Sequence, residues 1–269
     1  MEMIGILKRQ TVIVLLFICF FPTMAVAQVD QFKLKQVLQD ANAGDISACA
    51  YLGKMYYEGT GVAQNYNEAF KCFQKAADNG VTGAYTWLGV MYYDGQGVAQ
   101  NYEKAFLWTK KAAENGAANA YVGLGVMYCK GQGVAKNSNE AFKWFQKAAD
   151  NGVASAFAYL GDMYYAGDGV AQNYNEALKW YQKAADNGIT TGIYYFLADM
   201  FYTGKTGITD YSQAKKYAEL AIKNDTLDIV GHRILAKLYM YGYAVEKNID
   251  KAEALIEQAL AHCKKNGSS

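Results

Sequence analysis

Residues 51–80 read YLGKMYYEGTGVAQNYNEAFKCFQKAADNG, and residues 87–116 read WLGVMYYDGQGVAQNYEKAFLWTKKAAENG. The same text returns at 123–152 as GLGVMYCKGQGVAKNSNEAFKWFQKAADNG and at 159–188 as YLGDMYYAGDGVAQNYNEALKWYQKAADNG, each copy 36 residues after the one before. A period of this length marks a stacked array, in which every unit buries its apolar face against its neighbour. Looser copies begin at Phe196 and Ile234. Residues 32–44 match only the second half of the unit, with Leu34 and Val37 in the places of Phe70 and Phe73. Divergent ends are expected of an array, because its terminal units must meet water.

Each unit reads as two helices. Ala48, Leu52, Met55 and Tyr56 recur at helical spacing, and Ala69, Phe73 and Ala76 share a face of the second helix. Gly53 stands inside the first helix at a cost of ~1 kcal/mol against alanine, which predicts a close neighbour there. Asn65 with Glu68 predicts a capping box, repeated at Asn137/Glu140, Asn173/Glu176 and Asp210/Gln213 and lapsing at Asn101/Lys104 and Asn248/Lys251. Between the helices lies Gly59-Thr60-Gly61, which in isolation looks like a phosphate-binding turn. A dinucleotide loop needs a preceding strand and a third glycine, and this segment has neither. The glycines are expected instead to close the first helix through left-handed residues.

A unit of this form, with LG, Y, G.GV, A, W and KAA at fixed places, resembles the Sel-one-like repeat, a branch of the tetratricopeptide superfamily. The resemblance covers residues 32–264 and implies an all-α, right-handed α-solenoid of antiparallel helix-turn-helix repeats that works as a protein-interaction scaffold. It divides the chain into a half-repeat capping helix at 28–44, six repeats at 45–80, 81–116, 117–152, 153–188, 189–225 and 226–264, and a polar tail at 265–269. In a curved array the first helices line the concave side, where a partner protein or extended peptide is expected to lie. By analogy with tetratricopeptide units the groove positions collect Tyr51, Trp87, Tyr159 and Phe196 in one column and Lys54, Val90, Val126 and Asp162 in a second. A third holds Tyr57, Tyr93 and Tyr165, with Cys129 in the third copy, and Asn119 adds a polar group. Aromatic residues are common anchors of binding surfaces, so an apolar or extended segment suits these columns better than an acidic tail. Packing between neighbouring helices is the competing role for the tyrosines.

The first 27 residues read as a signal peptide: Lys8 and Arg9, then the apolar TVIVLLFICFF, then small Ala25 and Ala27 before Gln28. An exported protein, periplasmic or secreted, is expected. Removing Lys8, Arg9 and Glu2 from 26 basic and 25 acidic residues leaves 24 of each. That balance speaks against nucleic acid and anionic membranes as partners, and no second apolar stretch is long enough to span a bilayer. Cys49 and Cys72 take the places of Tyr85 and Trp108, so one unit has exchanged both aromatics for cysteine. Antiparallel pairing of Gly53 with Ala69 puts them at one height, and a Cys49–Cys72 disulfide and two buried free thiols are the two alternatives. Cysteine-rich relatives of the family, some reported to bind penicillin, place pairs about eight residues apart. Ala41 stands where the partner of Cys49 would be. They supply the alternative function, a protein that binds or hydrolyses a cell-wall peptide or β-lactam. Ser47 and Ser155 have no evident base, however, and His232 and His262 lie too far apart for a local metal motif. No catalytic residue, cofactor or metal is expected. Thr203–Thr206, TGKT, resembles the end of a P-loop without its first glycine.

Overall fold

The asparagine that opens a second helix, replaced by Asp210 in the fifth repeat alone among the described pairs, settles how a repeat closes. The computed structural model describes residues 32–224 and 229–266, with backbone alone for 262–266, so the predicted signal peptide lies outside the described residues. These residues form helices and no strand. In chain order the helices are α1 (32–42), α2 (Ile46–Glu58), α3 (Tyr66–Asp78), α4 (Thr82–Asp94), α5 (Tyr102–Glu114), α6 (Ala118–Lys130) and α7 (Ser138–Asp150). They continue as α8 (Ala154–Ala166), α9 (Tyr174–Asp186), α10 (Ile193–Thr203), α11 (Tyr211–Asn224), α12 (Ile229–Tyr241) and α13 (Ile249–Asn266). The chain divides into two units, one ending at Ala117 and one beginning at Ala118. Within each, every helix pair packs on itself and on the next, which is an all-α repeat solenoid.

In the first unit the loop between α2 and α3 is a closed clasp. The N–H groups of Gly59 and Thr60 both donate to Met55 O, at 2.8 and 3.1 Å, with Gly59 in the left-handed region at φ 71°. The Asn65 N–H then reaches back to Tyr56 O at 2.8 Å, and its side chain accepts from the N–H groups of Asn67 and Glu68. Two donors of the glycine turn are therefore spent on the helix end that the turn itself closes. The expected capping box is only half present. Its reciprocal half needs the Asn65 N–H, which Tyr56 already occupies, and Glu68 turns to Lys71 at 2.7 Å instead. The remaining half does not depend on glutamate, since Asn101 still accepts from Lys104 N at 2.9 Å and Asn248 from Lys251 N at 2.8 Å. Each such cap is worth about 1 kcal/mol.

The helices of a pair run antiparallel, residue 57 meeting residue 66 and residue 53 meeting residue 73. A Cβ built on Gly53 would lie 2.9 Å from the Phe73 ring, and one on Gly89 would lie 2.6 Å from Thr109 Oγ1. In the second unit, Gly125 and Gly161 meet Phe145 and Tyr181 at 2.5 and 2.6 Å in the same way. The mid-helix glycines are thus where a partner side chain fills the space a methyl would take. Around them Leu52, Leu88, Phe73 and Met91 form the first unit's core, and Leu124, Leu160, Leu197 and Tyr181 the second's. Helix α1 lays Val37, Leu38 and Ala41 on Cys49 and Leu52, so the half repeat covers the end of α2.

In the second and fourth repeats the second glycine of the turn serves the joint with the preceding repeat. A Cβ on Gly97 would lie 2.2 Å from Tyr66 O, and one on Gly169 would lie 2.3 Å from Ser138 O. No side chain fits where the turn of one repeat rests on the opening of the previous repeat's second helix.

Gly125→Ala should therefore lower stability by roughly 1–3 kcal/mol through overpacking against Phe145. Gly83→Ala, where nothing lies within 4 Å, should raise it by up to about 1 kcal/mol through helix propensity. Urea midpoints of the two variants, moving in opposite directions, check the assignment.

Candidate functional site

The aromatic columns resolve into a three-ring pattern. In the first unit Trp87 of α4 lies flat on Phe73 of α3, with centroids 5.4 Å apart and planes 6° apart. Tyr57 of α2 covers it from the other side at 4.6 Å and turns its edge to Tyr66 at 5.3 Å. The Tyr57 hydroxyl donates to Gln96 Oε1 at 2.6 Å, in the turn of the next repeat. Burial, then the Asp94 charge and Tyr66, raises the pKa of Tyr57. Position 57 is thus a packing position in which a tyrosine seals one first helix against the next.

The second unit shows the same pattern at one junction and its loss at another. Phe196 of α10 stacks on Tyr181 at 5.0 Å and 8°, and Tyr165 of α8 covers it at 5.3 Å while edging Tyr174 at 5.3 Å. Here Lys205 donates to the Tyr165 hydroxyl and pairs with Asp199 at 2.8 Å. Burial opposes the Lys205 charge, but these two partners outweigh it and its pKa rises. The lysine of the P-loop-like TGKT stretch is therefore committed to the array. At the α6–α8 junction Tyr159 stacks on Phe145 at 4.5 Å and 8°, yet the covering residue is Cys129 and the edge residue is Ser138. An open cleft of about 270 Å³ lies there. Val126, Cys129, Phe145 and Tyr159 give it apolar walls, and Lys130, Asp162 and Asp168 carry its charges.

The exposure of the expected contact residues follows. Tyr51, Val90 and Tyr159 present 46%, 36% and 37% of their surface to solvent. Trp87, Phe196, Tyr57, Tyr93, Tyr165 and Val126 are half-buried, and Asn119 and Lys54 are exposed. Lys54 pairs with Glu58 at 3.7 Å, and Tyr93 edges Tyr102 at 5.3 Å. The structure brings Val126, Tyr159 and Asp162 to one cleft, and Tyr57 to Trp87. Sequence reading missed Asp168 and Ser138, although Ser138 was legible as the one copy among the first four without a tyrosine at that place.

Asp162 reaches solvent at the cleft, but its carboxylate is crowded by the walls and accepts from the buried Tyr181 hydroxyl at 2.8 Å. Crowding raises its pKa and the hydrogen bond offsets this only in part. On the opposite face, Tyr85 and Trp108 stack at 5.8 Å, Tyr121 and Trp144 at 5.9 Å, and Phe157 and Trp180 at 5.9 Å. Lys111, Lys147 and Lys183 cover these pairs at 4.3–4.5 Å from the first ring. The three tryptophans are packing residues. In the first repeat the pair is Cys49 and Cys72, which pack together as free thiols. Burial first, then Cys49, pushes Cys72 up to about 11. Cys49 Sγ donates to Ala41 O at 3.5 Å, so the residue beside this thiol from α1 is an alanine. His232 is buried in α12. Among the described residues no three His, Cys, Asp or Glu side chains gather as a metal site, and no helix is long and apolar enough to cross a membrane.

The Sel1 repeat matches residues 46–81, 82–116, 118–153, 154–189, 194–225 and 230–262. Among solved structures, this chain is similar to a protective antigen of uropathogenic Escherichia coli displaying an SLR fold, at 34% identity and a TM-score of 0.75. The likeness covers 85% of this chain and 48% of the antigen, so the chain spans about half of that protein's length. A Sel1 repeat protein from Oxalobacter formigenes matches at 29% identity and a TM-score of 0.66, over 83% of this chain and 95% of that one. Helicobacter pylori cysteine-rich protein B matches at 27% identity and a TM-score of 0.35, over 44% of this chain and 90% of its own. Compared with curated proteins, the chain has no match.

A carboxyl with a higher pKa folded than unfolded binds more protons when folded, so stability falls as pH rises from its ordinary 3.8 through the raised value. Asp162→Asn, which keeps an acceptor for Tyr181, should flatten that fall. Urea midpoints between about pH 3 and pH 7 should show the variant gaining on the parent as pH rises.

Proposed function

Since the chain belongs to the Sel1 repeat family, whose members are generally protein-interaction scaffolds, we propose that it is a non-enzymatic adaptor exported from the cell. It holds a peptide or protein segment against the first helices of its repeats. The observation that carries this reading is the exposure of large side chains on those helices, Tyr51 and Tyr159 above all. Aromatic groups standing in water on a rigid helical face are suited to anchoring a partner, because little side-chain freedom is lost on binding. The near balance of acidic and basic residues supports a partner recognised by shape and apolar contact rather than by net charge.

A photo-crosslinking amino acid at Tyr51, in cells producing the protein, should give a discrete adduct. The same group at Leu107, 63% exposed on the second-helix side, should not. Equal adducts at both positions, or none at Tyr51, would overturn the reading.

The cysteine pair adds a second element to this proposal. On export Cys49 and Cys72 are oxidised by a protein dithiol–disulfide oxidant, which takes up the two electrons and two protons as their sulfurs join. The bond replaces the aromatic stack of the other repeats and closes a loop worth roughly 3 kcal/mol in the chain-entropy model. Alkylation of denatured, unreduced protein from the export compartment should leave both cysteines unmodified until reductant is added. Modification of both beforehand would end the idea.

A further inference from the structure

The cleft between α6 and α8 is defined by what the other junctions hold in the same place. At two of them a tyrosine of one repeat covers the ring of the next: Tyr57 over Trp87, and Tyr165 over Phe196. At each, that phenol also meets the middle residue of the following turn, Gln96 or Lys205. Asp168 is the corresponding turn residue beside Cys129, close enough that its charge, after burial, raises the Cys129 pKa. The third repeat has therefore lost the phenol and its edge partner through Cys129 and Ser138. It keeps the ring below, Tyr159 stacked on Phe145, and an acceptor at the far end.

We propose that this cleft is an anchor pocket for a tyrosine side chain of the partner peptide, whose phenol ring lies on Tyr159 and whose hydroxyl donates to Asp168. The proposal rests on the peptide-scaffold reading and names the partner chemistry for that same face. Size permits it, since an apolar cavity of about 150 Å³ already holds benzene and this cleft is larger. Charge complementarity favours a donor: Asp162 and Asp168 face one lysine, Lys130, so a hydroxyl hydrogen meets an acceptor-rich rim. The exposure of Tyr159, which unlike Trp87 and Phe196 has no tyrosine over it, is what the arriving ring would remove.

The test uses N-acetyl-L-tyrosinamide as probe and the alkylation rate of Cys129 by iodoacetamide, read by peptide mass spectrometry on the full chain. The probe should slow alkylation about threefold at twice its Kd. N-acetyl-L-phenylalaninamide, which offers Asp168 no donor, should bind about tenfold more weakly. In saturation-transfer NMR, Cys129→Tyr should abolish the tyrosinamide signal by supplying the missing ring, whereas Cys129→Ala keeps it, with circular dichroism confirming that both variants fold. An unchanged alkylation rate, equal protection by the phenylalanine probe, or a signal persisting in Cys129→Tyr each overturns the pocket. A site-specific crosslink at Tyr51 together with an unmoved Cys129 rate would sink the pocket and leave the scaffold reading standing. Protection of Cys129 without that crosslink would sink the scaffold reading and with it the peptide as source of the tyrosine, leaving only a cleft that binds a phenol.

Discussion

Everything in this fold depends on the contact between a helix backbone and a partner side chain at the mid-helix glycine. At Gly53, Gly125 and Gly161 an aromatic ring of the second helix sits where a side chain of the first would be. Glycine is costly inside a helix, and the cost is offset only because the ring gains a flat backbone surface to pack on. That approach sets the spacing of the pair, and the spacing brings the ring of the next first helix flat against the same aromatic. Trp87 on Phe73, Tyr159 on Phe145 and Phe196 on Tyr181 are the successive results. Ala198 and Ala236 take the glycine's place in the last two copies, and there the core is built from smaller groups such as Ala214 and Ala218.

The fold was legible because repetition turns a weak local signal into a strong one. One Gly-x-Gly turn is ambiguous; four at a fixed period, each followed by asparagine at the same distance, are not. What sequence reading placed wrongly has a physical cause in each case. The capping box fails because two elements compete for one N–H, and the winner is a carbonyl of a different helix. Packing, the competing role that sequence reading gave the third column, is seen at Tyr57 because tyrosine is long enough to span from one repeat's first helix to the next repeat's turn. That reach cannot be read within a single copy. The cleft escaped notice for a related reason: it is made by two absences, Cys129 and Ser138, on different helices.

A division of labour between positions follows. Glycines, alanines and the asparagine caps hold the frame and scarcely vary among the regular copies. Residues at the places of Lys54 and Gln96 differ from copy to copy at little cost, because each reaches solvent or a turn. The turn's middle residue is Thr60, Gln96, Gln132, Asp168 and Lys205 in successive copies, so a neutral, acidic or basic group can be set beside each junction without touching the core. Asp168 and Lys205 show how different the consequences are: one faces an open cleft, the other a filled one.

The rest of one turn on the preceding helix start, at Gly97 against Tyr66 and Gly169 against Ser138, has a consequence for how such a chain can change length. Both of these joints are made by elements that recur at the 36-residue period, so duplicating or deleting a block of that length brings the same residue types together again. Unequal crossing-over between nearly identical stretches of coding sequence would then yield folded proteins at once, differing in reach but not in architecture. At those two joints the second glycine leaves the room that the preceding helix start occupies.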